Sequence, residues 1–506
     1  MAEPSKLSPA LTAEPDATPQ GLRGFIGKFS VLRGASRELW LTFIIKVLNI
    51  AAYAVTNSTI VLWLSSDLGY DDKKALAIVA AWSLVMTIAS ILVGSFTDAV
   101  GLRRTFFIGT WVLIVARAVM VLANLKWLAL VCGLFPVAVG EALGTPVLVA
   151  AVRRYSTTAQ RSISFSLFYV MMNLGFIVAG YLFDFVRQSL GEHGHWVLPL
   201  AGLNISTYQT LFLVSLGIEF VMLPLLYYLR EGVEATDKGL KITPRQKKYS
   251  QSNMVAAMGL TMRDTARDTG RLFAGLVQQK GFYRLLSFLM MIAFLKLIFM
   301  QMYYVYPKFG IRVLGNGAPL GKLWSVINST LVIFLVPCVG ALTQKYSAYR
   351  MVIVGGTISA ASVFIMALPP QWFQPMADGF PGNLVAHWFL GVQGAVNPYY
   401  VMIALFVTLL SVGEAFYSPR VYEYAAAIAP KGQEASYGAL SYIPFLLAKL
   451  LIGTFGGTLL TWYCPEQGPR HPAMLWLAVA VTASIAPIGL TILRRYIHVQ
   501  EAGRAD

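Results

Sequence analysis

The sequence predicts an all-α integral membrane protein of twelve transmembrane helices, arranged as two pseudo-symmetric six-helix bundles. Three observations carry this expectation. Of 506 residues, 57% are hydrophobic and only 13% charged, about half the charged share of a soluble domain. Apolar stretches of about 20 residues recur along the chain, each long enough to cross ~30 Å of hydrocarbon. Finally, a seven-residue phrase occurs twice inside such stretches, as Gly140-Glu141-Ala142-Leu143-Gly144-Thr145-Pro146 and Gly413-Glu414-Ala415-Phe416-Tyr417-Ser418-Pro419. A carboxylate at the centre of a membrane span costs roughly 2.5–3.5 kcal/mol. Two of them at matching places point to a duplicated bundle with its working charges near the midplane.

The elements follow in order. Residues 1–36 are polar and rich in Pro, Ala and Ser. They lack the apolar core and small-residue cleavage site of a signal peptide, and read as a disordered cytoplasmic tail. The first bundle occupies 37–230, with spans at 38–66, 74–97, 104–123, 127–151, 162–186 and 208–230. A basic linker fills 231–284. Within it Val255, Met258, Met262, Thr269, Phe273 and Leu276 recur at helical spacing, with Arg263, Asp264, Arg267, Asp268 and Arg271 mostly between them. That pattern suits an amphipathic helix lying at the lipid surface. The second bundle, 285–497, carries spans at 285–308, 320–343, 350–369, 398–428, 436–462 and 473–494, and 498–506 forms a second cytoplasmic tail. Interior Pro146 and Gly175 do not argue against helices, because neighbouring spans can satisfy the freed backbone groups.

The net charge of +16 is distributed rather than patched. Basic residues collect in alternate loops, at Arg103, Arg104, Arg153, Arg154, Arg161, the linker, Lys345, Arg350, Lys431, Arg494 and Arg495. By the positive-inside rule both termini face the cytoplasm, and a cytoplasmic (cell) membrane is the expected site. No nucleic-acid partner is implied. The partners expected are the lipid bilayer, a small-molecule substrate and protons, with the chain acting as a monomer. Cys132, Cys338 and Cys464 and the five histidines have neither disulfide nor metal spacing, and no cofactor is expected.

The loop between the second and third spans reads Gly94-Ser-Phe-Thr-Asp98-Ala-Val-Gly101-Leu102-Arg103-Arg104. It resembles the hallmark loop of the major facilitator superfamily: Gly, three residues, Asp, two residues, Gly, then basic residues. That resemblance implies the two-bundle fold. Asp98 with Arg103 or Arg104 would then bridge the bundles on the cytoplasmic side as a gate. A decayed copy, Gly340-Ala-Leu-Thr-Gln344-Lys-Tyr-Ser-Ala-Tyr-Arg350, stands in the second half. Asp98 precedes Glu141 by 43 residues and Gln344 precedes Glu414 by 70; the excess of 27 is close to the length of 370–397, a Pro/Gly/Trp-rich outer loop. The two copies run in register.

Six ionisable residues fall deep in spans: Lys46, Glu141, Glu219, Lys296, Glu414 and Lys449. Lys46 and Lys296 are rough equivalents in the two halves, and Glu141 and Glu414 are aligned partners. A buried charge is neutralised unless it finds a partner. A Glu whose Lys is withdrawn when a gate opens would therefore take a proton, and reforming the pair would expel it. The same charges offer separate docking points for the amine and carboxylate of a zwitterion. Tyr53 and Asn57, following Lys46, and Gln301, Tyr303 and Tyr304, following Lys296, supply further groups for a pocket.

Two stretches resemble the proton-dependent oligopeptide transporter family. The fifth span reads Phe168-Tyr169-Val-Met-Met-Asn173-Leu-Gly175, similar to that family's Phe-Tyr, three residues, Asn, one residue, Gly. The tenth has Glu414, Ser418-Pro419 and Ala429-Pro430 at the family's spacing. The resemblance implies that Glu414 engages the amino group of a peptide, and it puts Asn173 at the site. The chain departs elsewhere. It has Arg37-Glu38-Leu39-Trp40 and Lys46 where the family carries Glu-x-x-Glu-Arg, Thr145 where the family has Lys before Pro, and Met300 before Gln301 where the family often has Glu.

The function expected is secondary active transport of a small polar, zwitterionic or peptide-like solute by alternating access, coupled to protons. Glu414, Lys296, Lys449, Lys46, Tyr53, Asn57, Asn173, Gln301 and Tyr304 form the binding site. Glu141 and Glu414 couple to protons, and Asp98, Arg103 and Arg104 form the gate. The alternatives are an organic-anion transporter of the same fold, in which the lysines dominate, or a non-transporting membrane receptor or scaffold. Nothing in the sequence has the buried His/Asp cluster, Ser-centred Gly turn or metal-ligand set that an enzyme would need.

Overall fold

The computed structural model describes residues 29–198, 202–236, 239–242, scattered positions between 259 and 277, and then 278–428, 440 and 443–498. Twelve of its helices are long and apolar enough to cross a membrane. In the first half they are α1 (Arg37–Ser66), α2 (Asp72–Val100), α3 (Leu102–Leu122), α4 (Lys126–Tyr155), α5 (Arg161–Leu190) and α6 (Thr207–Tyr227). The second half supplies α7 (Lys280–Tyr304), α8 (Lys322–Leu342), α9 (Ala348–Ala367), α10 (Pro398–Ile428), α11 (Ile443–Tyr463) and α12 (Pro472–Ile492).

Local sequence sets the helix starts. The Ser36, Asp71 and Ser347 side chains accept the orphan amides of Leu39, Lys74 and Arg350, and Ser206 with Gln209 forms a complete capping box for α6. The reversal between α2 and α3 turns on Gly101, whose φ of +94° only glycine adopts without strain. This explains the second glycine of the loop motif.

The duplication is visible in the packing. A methyl group added at Gly140 would lie 3.2 Å from the Gly109 carbonyl oxygen, and one added at Gly413 would lie 2.7 Å from the Gly355 carbonyl oxygen. So α3 meets α4, and α9 meets α10, through bare backbone just before the two deep glutamates. Gly109 follows Asp98, and Gly355 follows Gln344, by the same eleven residues.

The halves meet along α2 with α11 and α5 with α8, with α1 against α7. Two of these seams are again glycine contacts: Gly180 lies against Gly321, and Gly457 against the backbone of Asp72 and Lys73.

Three features differ from sequence expectation. Hairpins β1–β2 (His195–Leu198, Leu203–Ser206) and β3–β4 (Val233–Thr236, Gly239–Ile242) occupy stretches with no strand-length alternation, the second of them inside the linker. The 370–397 segment contains short helical turns, several packed against the start of α10. In addition, α4 is interrupted. It is α-helical over Phe135–Ala142, breaks at Leu143 and Gly144, and resumes over Thr145–Tyr155. Pro146 cannot donate a backbone hydrogen bond across that break. Most of the expected amphipathic helix of 255–276 lies outside the described residues.

Candidate functional site

The first cluster centres on a residue that sequence alone does not single out. Arg117 of α3 is fully buried and donates through one Nη to Glu141 of α4 at 2.5 Å and through the other to Glu219 of α6, while its Nε reaches Thr56 Oγ1 of α1 at 3.3 Å. Glu141 therefore pairs with an arginine rather than directly with a cavity lysine. One signal could have found Arg117: it lies eight residues beyond Gly109 and four beyond Leu113, on the face that Gly140 packs against. Glu141 sits at the broken end of its helix, where Gly144 N–H folds back onto its carbonyl at 3.0 Å.

Two lysines look onto Glu141. Lys46 of α1 is fully buried, its ammonium 4.6 Å from the centre of the Phe168 ring, and its Nζ has no hydrogen-bond partner. Lys449 of α11 crosses from the second half and lies 5.2 Å over the Trp82 ring of α2. Glu141 is within electrostatic reach of both. Tyr53 also faces Glu141.

The second cluster centres on Glu414 of α10. Asn328 of α8 donates to its carboxylate at 3.0 Å and lies 3.0 Å from Ser411 Oγ. Lys296 of α7 is enclosed by the rings of Phe445, Tyr417 and Phe299 at 4.8, 5.0 and 5.1 Å, with Glu414 as its charged neighbour. Tyr169 from the first half and Tyr303 also face Glu414. Each lysine thus sits over aromatic faces, a contact worth ~2 kcal/mol or more to a desolvated cation.

Between the clusters, Tyr304 donates to Asn57 Oδ1 at 2.6 Å and joins α7 to α1. Gln301 is buried with its Oε1 unpartnered. Asn173 donates to the Tyr169 carbonyl of its own helix at 2.9 Å, so it braces α5 rather than lying free.

At the end away from the linker the halves are bonded together. Asp72 pairs with Lys308 and, at 2.9 Å, with Arg312; Lys308 and Arg312 lie on the short helix Tyr306–Leu314. Burial pushes the Lys308 ammonium down from its usual range, against the opposing pull of Asp72. Asp184 of α5 accepts the Gly321 and Lys322 amides at the start of α8, at 2.8 and 2.7 Å. Arg187, paired with Glu192, donates to the Ala318 carbonyl at 3.1 Å, and Gly317 N–H donates to Glu192 at 3.2 Å.

The expected gate at the linker end is placed differently. Arg103 donates to the Tyr227 carbonyl at 2.9 Å and Arg104 pairs with Glu231 at 3.3 Å, so both are engaged within or next to the first bundle. The last turn of α6 leaves carbonyls without intrahelical donors, and these arginines lie beside it. The Asp98 side chain is outside the described residues.

Two six-helix bundles that meet around buried opposite charges, bonded shut at one end, define a membrane transporter of the two-bundle class. The family model described as Major Facilitator Superfamily matches residues 42–392, more than half of the chain, and the protein belongs to that superfamily. Solved structures agree on the fold. A transporter of the POT family in complex with 5-aminolevulinic acid aligns with TM-score 0.64 at 14% identity, covering 92% of this chain and 97% of the other. A bacterial homologue of the human drug peptide transporters PepT1 and PepT2 aligns with TM-score 0.61 at 17% identity, covering 91% and 99%. A mutant of the nucleoside transporter NupG aligns with TM-score 0.63 at 10% identity, covering 90% and 100%. No curated protein matches the chain by sequence.

Proposed function

We propose that the protein is a proton-coupled secondary transporter of a small zwitterionic or peptide-like solute, acting by alternating access in the cell membrane with both termini cytoplasmic. One observation carries the reading. Glu414, held by Asn328, and Lys449, reaching across to the first half, present opposite charges at the seam between the bundles. Glu414 takes the amine of the solute, and Lys449 or Lys296 the acidic end. Lys46, Tyr53, Asn57, Asn173, Gln301 and Tyr304 complete the site, and Glu141 with Glu414 links it to protons. With the far end bonded, the chain is in its inward-facing state. Asp98 with Arg103 and Arg104 closes the cytoplasmic end in the alternate state, after the arginines leave Tyr227 and Glu231. The peptide transporters among the structural neighbours support this solute class.

The experiment is counterflow of a labelled dipeptide in proteoliposomes, in which Glu414→Gln lowers exchange by about tenfold or more. A second reading, transport of an organic anion, rests on the charges of the two central clusters: among the described residues four cations (Lys46, Arg117, Lys296, Lys449) stand with three anions (Glu141, Glu219, Glu414). Anion exchange that survives Glu414→Gln and fails in Lys296→Gln selects it.

A further inference from the structure

The first half contains a charge imbalance that the second half corrects. Arg117 is bonded to both Glu141 and Glu219, so with both carboxylates ionised this triad carries one net negative charge. Lys449 of the second half lies within electrostatic reach of Glu141 and can supply the compensating positive charge from across the seam. Lys46 is then surplus. Its Nζ is buried with no acceptor, it is seated over the Phe168 ring, and no carboxylate forms an ion pair with it among the described residues. An ammonium there would hold three donors with nothing to receive them, an expensive arrangement in a water-free interior.

We propose that Lys46 is the proton-exchanging group of this transporter, uncharged while Lys449 faces Glu141 and protonated when the halves part and Lys449 withdraws. The inference rests on the transport reading and supplies its coupling step. Glu141 is one negative charge that two cations compensate in turn, one delivered by helix movement and the other by a proton. Arg117 is bonded to Glu141 from within the same bundle, so Glu141 is coupled to protons through the charge on Lys46. Among the described residues, the groups that set this balance are Lys46 and Tyr53 on α1, Arg117 on α3, Glu141 on α4, Glu219 on α6 and Lys449 on α11. The proton leaves Lys46 as the bundles approach at the far end and joins it as they separate there. This runs protons in the same direction as the solute.

The test needs no substrate. The full-length protein is purified with ¹³C-labelled lysine, and the ε-carbon resonances are followed by NMR between about pH 6 and 9, where ordinary lysines, with pKa about 10.4, do not titrate. The proposal expects a titrating resonance that is missing from Lys46→Met and moved to higher pH in Lys449→Met, where Lys46 alone compensates Glu141. It is overturned if no lysine of the wild type titrates in that range, or if the titrating signal disappears in Lys449→Met and survives in Lys46→Met. If Lys46→Met does not fold, Lys46→Gln and Lys46→Arg make the same assignment. In proteoliposomes, whatever solute exchange Lys46→Met retains should no longer be stimulated by an inward proton gradient, and Lys46→Arg, which keeps the charge but not the exchangeable proton, should behave the same way. Exchange with gradient stimulation intact also overturns the proposal, whereas absence of exchange in the wild type counts against the transport reading and leaves the NMR result standing.

Discussion

Arg117 is the residue on which the first bundle depends. Two buried carboxylates share it, and removing one member of a buried charge network leaves the others uncompensated at a cost of roughly 3–5 kcal/mol. Arg117→Leu should therefore lower the melting temperature sharply, and Arg117→Leu combined with Glu141→Gln and Glu219→Gln should recover most of the loss in a thermal unfolding assay. Asp67 gives a milder case. It follows α1 and accepts from Ser206, and burial lifts its carboxyl to about 6 against the opposing effects of that hydrogen bond and of His195 and His193. A raised carboxyl means that the folded state binds the proton more tightly than the unfolded chain does. Its cost is therefore fully present above pH 6 and relieved as the pH falls towards 4. Asp67 is open to solvent, which screens that cost, so Asp67→Asn should stabilise the protein only slightly at about pH 7.5, with the gain vanishing at about pH 5. At this scale the sequence is partly readable. Lys46, Lys296, Lys449, Glu141 and Glu414 stand out because a charge in an apolar run is conspicuous. Arg117 is as deep, yet near the end of its span it reads as a side chain reaching for the surface, and only its helical phase with Gly109 argues otherwise.

At the scale of elements, hydropathy is a good guide to where helices lie and a poor one to how they are built. The expected spans overlap all twelve helices, because hydrocarbon thickness and helix rise fix their length. The break in α4 and the π-helical turns at Ala129–Leu134, Lys322–Val326 and Ile452–Gly456 leave hydropathy unchanged and so leave no trace in it. The short strands of the two hairpins are four residues each, below the length at which alternation separates from chance. Helix contacts depend instead on single glycines. Gly413→Ala would drive a methyl into the Gly355 carbonyl and Ser359; it should destabilise the protein by about 1–3 kcal/mol and displace Glu414. Gly340, in the decayed loop copy, has open space at the same position, and Gly340→Ala should be neutral or stabilising by up to ~1 kcal/mol. Comparative thermal unfolding of the two variants separates packing from propensity.

For the whole molecule, the bonds among Asp72, Lys308, Arg312, Asp184, Arg187 and Glu192 hold one conformation. None of these residues is conspicuous in the sequence, because each lies near a span end where charge is ordinary; only the approach of the two halves makes them partners. Spin labels at Ser189 and Asn316, on opposite sides of the far-end seam, should report a single short distance in the wild type and an added longer one in Asp72→Ala with Asp184→Ala. In the proposed cycle, the inward-facing state and the exchange of charges at Glu141 and Glu414 are linked, and the seam between the bundles is where the solute binds. The most direct test is counterflow of a labelled zwitterionic dipeptide in proteoliposomes, wild type beside Glu414→Gln. Loss of a charged hydrogen bond worth ~1.5–3 kcal/mol predicts exchange in the wild type and a fall of about tenfold or more in the variant. Equal exchange by the two proteins would contradict the role of Glu414, and no exchange by the wild type with any dipeptide would contradict the solute class.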